Sequence, residues 1–449
     1  MAVAPASASP GSREVTARAP RVGPVGGLGL AVVAAAVAVG SCGRKEAPGG
    51  SSGVASSASA AASVSAAAPV AATAKRPPAP PGDAERGKKL AQEHECHRCH
   101  DGAGLTAAPR EKHCFHCHQQ IVTGEFPAPK HALAKWRPNV APVQDVPTLE
   151  GAGRFDRSWL FAFLQEPHDL RPALAPTMPR LAIDAAEAAD LTSWLTRDAT
   201  SVEAVSLEGA SLERGRELLE QRACGICHEL GGAPLPQRPG FTGSETQRKA
   251  ATLAPDLRLT RERWEAAPLV AWIQDPKRLK PDTLMPSMGL KRDEARDVAA
   301  YLLRAPLAPA APRPVPPRLP LLERRVTFAE VDTAVFTKIC RHCHGNEDAE
   351  LGDGGPGNTG GFGFSPRKLD LASYAGIAAG LLDTKGERAS VFAKLDDGTP
   401  RLVAVLLARQ KEEAGRPDPR ARGMPLGLPS LTPEQIQLVE TWVSQGRPR

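Results

Sequence analysis

Read for apolar and polar positions, the chain changes character several times. Leu28 to Val39 is an apolar run rich in Ala and Val, preceded by Arg13, Arg18 and Arg21. Residues 43–80 are almost all Ala, Ser, Gly, Val and Pro. Such a stretch cannot bury a core and is expected to be a flexible tether. Short amphipathic segments begin after it. Glu85-Arg-Gly87-Lys-Lys-Leu90 and Glu213-Arg-Gly215-Arg-Glu-Leu218 share one helical pattern. Residues 305–320 are broken by Pro306, Pro309, Pro312, Pro314, Pro316, Pro317 and Pro320. Fixed φ angles and missing N–H groups predict a semi-rigid spacer there.

The helical patterns form an internal repeat. The Glu-Arg-Gly segments are offset by 128 residues, Glu85 to Glu213. Phe163-Leu-Gln-Glu-Pro167 then matches Trp272-Ile-Gln-Asp-Pro276 at an offset of 109. Thr177-Met178-Pro179 matches Leu284-Met285-Pro286 at 107, as does Asp190-Leu-Thr-Ser-Trp194-Leu195 with Asp297-Val-Ala-Ala-Tyr301-Leu302. Residues 83–200 and 205–304 are therefore expected to be two copies of one helical unit, with 19 extra residues inside the first. Residues 325–449 are expected to form a third unit, beyond a linker at 305–324. Its last helix has a strong start in Thr432, Pro433 and Gln435. Asp184 with Glu187 is a similar capping box in the first copy, whereas Lys291 is a weaker start in the second.

Eight of the nine cysteines fall in four C-x-x-C-H pentapeptides. These are Cys96-His-Arg-Cys99-His100, Cys114-Phe-His-Cys117-His118, Cys224-Gly-Ile-Cys227-His228 and Cys340-Arg-His-Cys343-His344. This spacing is the attachment signal for c-type haem. Two thiols add across the two porphyrin vinyl groups, and the next residue turns its imidazole onto the iron. Cys96 to Cys117 also has a spacing close to a zinc ribbon, and exported C-x-x-C pairs can oxidise to disulfides. Neither alternative requires a histidine after every second cysteine. Up to four covalent haems c are expected, with His100, His118, His228 and His344 as proximal ligands. The second motif lies in the extra residues of the first copy and reads as a haem inserted into that unit.

Of five methionines, Met178, Met285 and Met424 each precede a proline, after a haem motif and before a last helix. A thioether suits low-spin iron, and His/Met ligation raises the potential. Matching placement in three units favours ligation over gap filling in a core. Met288 is an alternative to Met285, without the following proline. The inserted haem has no methionine left. His131 is its first candidate distal ligand, with His94, His97, His116 and His168 as alternatives.

The order of helix, haem motif, Met-Pro turn and last helix resembles class I cytochrome c, an all-α fold. The resemblance implies crossed first and last helices, with a glycine and an aromatic near the contact. Gly87 with Trp194 and Gly215 with Tyr301 match those positions. The third unit resembles cytochrome c domains through Leu369-Asp370, Tyr374, and Trp442-Val443 followed by Gly446. It lacks the Glu-Arg-Gly entry. The fold class expected is all-α, with three tandem cytochrome c-like domains joined by Pro/Ala-rich linkers.

The ninth cysteine has a different context. The basic start, apolar run and Val39-Gly40-Ser41-Cys42 read as a secretory signal, and they resemble a bacterial lipoprotein signal. That resemblance implies a signal peptide over 1–41, acylation of Cys42, and a tether over 42–82. The run is short for a membrane span. Export agrees with haem attachment outside the cytoplasm.

Composition adds little beyond this. With 44 Pro, 41 Gly and 4% aromatic residues, several small haem-centred domains fit better than one large core. The formal charge of +6 would be offset by haem propionates, so no nucleic-acid partner is expected. The expected function is electron relay by a multihaem cytochrome c on the periplasmic side of a bacterial membrane, between a redox donor and acceptor. The alternatives are a dihaem-peroxidase-like enzyme using the inserted haem, and an electron-accepting subunit of a dehydrogenase or oxidase complex. No catalytic residue is assigned.

Overall fold

A computed structural model describes residues 76–109, 113–140, 146–172, 178–199, 201–231, 233–234, 251–307, 313–345, 351–352, 355–356, 368–383 and 385–449. The apolar run, Cys42 and nearly all of the tether lie outside these residues. About half of the described residues are helical. Strand is limited to three short antiparallel pairs, Glu229–Leu230 with Ala233–Pro234, Leu351–Gly352 with Gly355–Pro356, and Leu381–Leu382 with Arg388–Ala389. This agrees with an all-α cytochrome c fold. No helix among the described residues is long and apolar enough to cross a membrane.

The first copy is built on crossed helices. Helix α1 (Ala84–Glu93) starts at Asp83, whose side chain accepts the Arg86 N–H. The extra segment follows as α2 (Cys114–Thr123) and α3 (Lys130–Val140). Helix α4 (Arg157–Gln165) is capped by Asp156, and α5 (Ala185–Leu195) by the reciprocal box of Asp184 and Glu187. Gly87 lets α1 approach the α5 backbone, where the Asp190 carboxylate accepts the Asp83 N–H at 2.7 Å. Trp159, Leu160, Leu191 and Trp194 form the buried core.

The second copy repeats this arrangement with α6 (Leu212–Gln221), α7 (Ala266–Gln274) and α8 (Arg292–Arg304). Gly215 takes the place of Gly87, and Asp297 accepts the Ser211 N–H at 2.9 Å. Lys291 gives a one-sided start. Its N–H donates to Glu294 at 2.9 Å, but an ammonium has no lone pair with which to complete the box.

The extra segment has more structure than a bare motif. Helices α2 and α3 pack on each other around Cys117, Ile121, Leu133, Trp136 and Val140, a small core separate from that of the first copy. Trp136 and Phe126 meet edge to face at 6.2 Å and supply most of its apolar bulk.

Residues 325–449 enter their haem motif through a π-helical segment, Asp332–Cys340. A short helix, Arg341–His344, completes the motif, and the described residues beyond it include α9 (Tyr374–Ala379), α10 (Arg401–Glu413) and α11 (Pro433–Ser444). Trp442 is fully buried among Phe328, Phe336, Tyr374 and Phe392, and its indole N–H donates to the Pro448 carbonyl at 3.1 Å.

The two copies touch directly. Phe155 meets Trp264 edge to face at 5.2 Å, and the Asp156 N–H donates to the Arg263 carbonyl at 2.8 Å. A further backbone bond runs from the Asp256 N–H to the Leu170 carbonyl at 2.9 Å.

Candidate functional site

In the first and third C-x-x-C-H motifs the backbone is folded in the same way. A non-glycine residue with positive φ, Glu95 at 52° and Ala223 at 55°, precedes each cysteine turn. A 3₁₀ turn then carries Cys96–Arg98 or Cys224–Ile226. The histidine N–H closes back onto the first cysteine carbonyl, at 2.8 Å for His100 and 3.0 Å for His228. Such left-handed residues are uncommon and recur at functional sites.

The imidazoles are oriented by second bonds. Nδ1 of His100 lies 2.7 Å from the Pro147 carbonyl, and Nδ1 of His228 lies 2.8 Å from the Pro255 carbonyl. A carbonyl only accepts, so Nδ1 carries the proton and Nε2 keeps its lone pair. This is the tautomer a metal-binding histidine needs. His344 is hydrogen-bonded to the Leu369 backbone. Burial lowers the pKa of all three rings and favours the neutral form that can ligate iron. His118, on α2, is also buried.

Among the described residues no disulfide joins the eight motif cysteines, of which Cys117 is buried and the others half-buried. Burial pushes Cys96 up to about 11, and Cys340 and Cys343 up to about 12. Uncharged thioethers fit such sites better than thiolates. Among the described residues, the side chains that gather closely enough for a bare metal ion are Asp101, His113 and His116, and no cysteine is among them.

Cys96, Cys99, His100 and Met178 line one cavity in the first copy, with Trp159 and Trp194 in its wall. The indole N–H groups of these tryptophans are buried without a hydrogen-bond partner. A largely apolar cavity with a histidine, a thioether, two thiols and spare donors fits a haem with its carboxylates.

Met285 is half-buried in the loop before α8, and its N–H donates to Thr283 Oγ1 at 3.2 Å. Met288 packs against the core of the second copy. Met424 packs against the core at 325–449, held by a 2.9 Å bond from its N–H to the Val405 carbonyl.

The other histidines are spread out. His131 is exposed at the start of α3. His94 is buried, with Nε2 3.7 Å from Glu187. His97 lies beside Gln92, and His168 lines the first cavity. Sequence reasoning passed over His113, which is 1% exposed and stacks on His116 at 3.7 Å. Its Nδ1 accepts the His116 N–H and caps α2. The available signal was its place immediately before a helix, although histidine is not a common cap.

Three motifs converge. The Cys99 and Cys114 thiols hydrogen-bond to each other, and Cys114 lies within electrostatic range of Cys343. Arg98, 4% exposed and paired with Glu95 at 2.9 Å, acts on both Cys114 and Cys343. Phe115, from the second motif, lines the first cavity.

These features define a helical haem-binding module. Residues 212–306 match the family model described as Cytochrome c. That segment spans α6 to α8 with Cys224, Cys227, His228 and Met285. It is a cytochrome c domain, which implies covalently bound haem c and supports a haem-based electron-transfer protein. No curated protein and no solved structure matches the chain.

Proposed function

We propose that the chain is a multihaem c-type cytochrome that relays electrons, one at a time, between redox proteins. Its four attachment sites are Cys96/Cys99, Cys114/Cys117, Cys224/Cys227 and Cys340/Cys343, with the following histidines as proximal ligands. Met178, Met285 and Met424 are the distal ligands at three of the sites, and His131 is the candidate at the Cys114 site. The tandem organisation joins cytochrome c-like units at 83–200, 205–304 and 325–449.

The observation that carries this reading is the pair of bonds that fix His100 and His228 with Nδ1 protonated and the Nε2 lone pair left for a metal. A c-type haem supplies reversible one-electron chemistry at iron. The protein holds that chemistry in place through rigid ligands, so little reorganisation accompanies each transfer. Thioether ligation holds a high potential. The meeting of Cys99, Cys114 and Cys343 supports relay between sites, because electron tunnelling falls steeply with distance.

Attachment of c-type haem outside the cytoplasm, with the basic start, apolar run and Cys42, supports a lipid-anchored protein on the periplasmic side of a membrane. The purified holoprotein is expected to give four haems per chain by pyridine haemochrome, and fewer than three would overturn the reading. Incorporation of a labelled fatty acid, lost in Cys42→Ser, tests the anchor.

A further inference from the structure

The first copy's cavity carries more positive charge than its own carboxylates balance. Arg154, Arg171 and Arg263 all line it. The acidic group on the same wall is Asp169, which already pairs with Arg313. Arg263 is the unusual member, because it belongs to the second copy and is 4% exposed. Its guanidinium lies 5.3 Å from the Phe155 ring and 5.7 Å from the Trp159 ring, both in the first copy.

Donors in this wall lack acceptors. Nε of Arg263, Nε of Arg154 and Nε1 of Trp159 are buried with no hydrogen-bond partner. All three groups donate only. Burying a cation without a counter-charge is costly. Burial correspondingly pushes the Arg154 and Arg263 guanidinium groups down to about 9. A carboxylate entering the cavity would meet both needs. A porphyrin joined to Cys96 and Cys99 carries two, as its propionates.

We propose that Arg263 is a positioning residue for the haem of the first copy, donating to a propionate, so that the second copy completes the first copy's site. The inference rests on the haem reading of the first motif. At the 109-residue repeat offset Arg263 is the counterpart of Arg154. Arg154 also reaches across, its guanidinium 4.9 Å from the Trp272 ring, and Arg263 is the arginine that the second copy contributes to the wall of the first cavity. Arg263 also lies within electrostatic range of His228, which places it between the two haem sites.

The test uses the full-length holoprotein with Arg263→Gln and Arg263→Lys, alone and combined with Cys96→Ser/Cys99→Ser. Removing a nearby cation favours the ferric form. Arg263→Gln is thus expected to keep the haem count and lower one midpoint potential, by about 59 mV for a tenfold shift in a one-electron equilibrium. Arg263→Lys restores most of the potential, which a purely structural role would not predict. With Cys96 and Cys99 replaced, the shift of the first haem is lost with that haem, and any shift left at the Cys224 haem, which Arg263 reaches through His228, is smaller. Unchanged potentials, or a shift as large without the first haem as with it, would overturn the inference. An unchanged haem count in Cys96→Ser/Cys99→Ser would instead overturn the haem reading of that motif. The propionate bending band in resonance Raman spectra is a second readout: it moves in Arg263→Gln if the contact exists, and stays fixed if it does not.

Discussion

Gly87 and Trp194 meet where α1 crosses α5, so closely that a Cβ on Gly87 would lie 2.9 Å from the Trp194 Cβ. The same atom would lie 2.5 Å from the Asp190 carbonyl carbon, which is backbone and cannot swing away. Gly215 and Tyr301 repeat the contact at 2.9 Å.

Gly87→Ala and Gly215→Ala therefore oppose two effects. Alanine improves helix propensity by about 1 kcal/mol. Overpacking against fixed backbone costs about 1–3 kcal/mol. Because the clash involves main chain, each variant is expected to be destabilised. Urea unfolding of the holoprotein measures this, and an alanine variant as stable as the parent would contradict the packing argument.

The same crossing contributes a pH dependence. Asp190 is almost fully buried and bonded by Arg86, whose Nη2 donates at 2.8 Å. The Arg86 hydrogen bond holds the Asp190 carboxyl below the ordinary range. The unfolded chain thus takes up this proton first as pH falls, and stability rises with pH across that interval. The contribution is complete above the unfolded carboxylate pKa of about 3.9 and is lost as pH falls through the folded value. Asp190→Asn should lower stability at neutral pH and flatten the acid limb of a stability–pH curve. A limb of unchanged slope would count against it.

Much of this helix crossing was legible in the sequence, because its signals are local or repeated. Gly87 and Gly215 follow the same Glu-Arg pair, and Asp184 with Glu187 is a three-residue spacing that means the same thing in any helix. The start at Lys291 was also readable as weak, for want of an acceptor. The contacts of Cys99 with Cys114 and of Arg263 with the first cavity were not legible. They join segments whose separation depends on how helices pack, and no periodicity encodes that. The core of α2 and α3 was missed for a related reason. The second motif drew attention to its cysteines, whereas Phe126 and Trp136 make the fold there.

Of the two methionines before α8, Met285 is the proposed ligand and Met288 packs on the core. Met285 precedes Pro286 and corresponds to Met178, which lines a cavity with His100, whereas Met288 packs on the second core. Met285→Ala is expected to remove one share of the sulfur-to-iron charge-transfer band and lower one potential. Met288→Ala should leave the band intact and cost roughly 2–5 kcal/mol at most, as a buried methionine truncation does. Loss of the band in Met288→Ala instead would reverse the two roles.

The second motif lies between two others, so its removal tests whether the chain conducts through it. Cys114 is bonded to Cys99 and within range of Cys343, while α2 and α3 have a core of their own. Cys114→Ser/Cys117→Ser is therefore expected to reduce the haem count by one and leave the three larger cores folded. Serine is close to cysteine in size, which limits local disturbance. Electron exchange between the proposed haems at Cys96 and Cys340 should then slow, because the intermediate redox centre is gone. Flash reduction followed by absorbance at the haem bands gives the rate, and helicity by circular dichroism checks the fold. If exchange proceeds at the parent rate with one haem fewer, the Cys114 site is a side branch and the conducting path runs elsewhere.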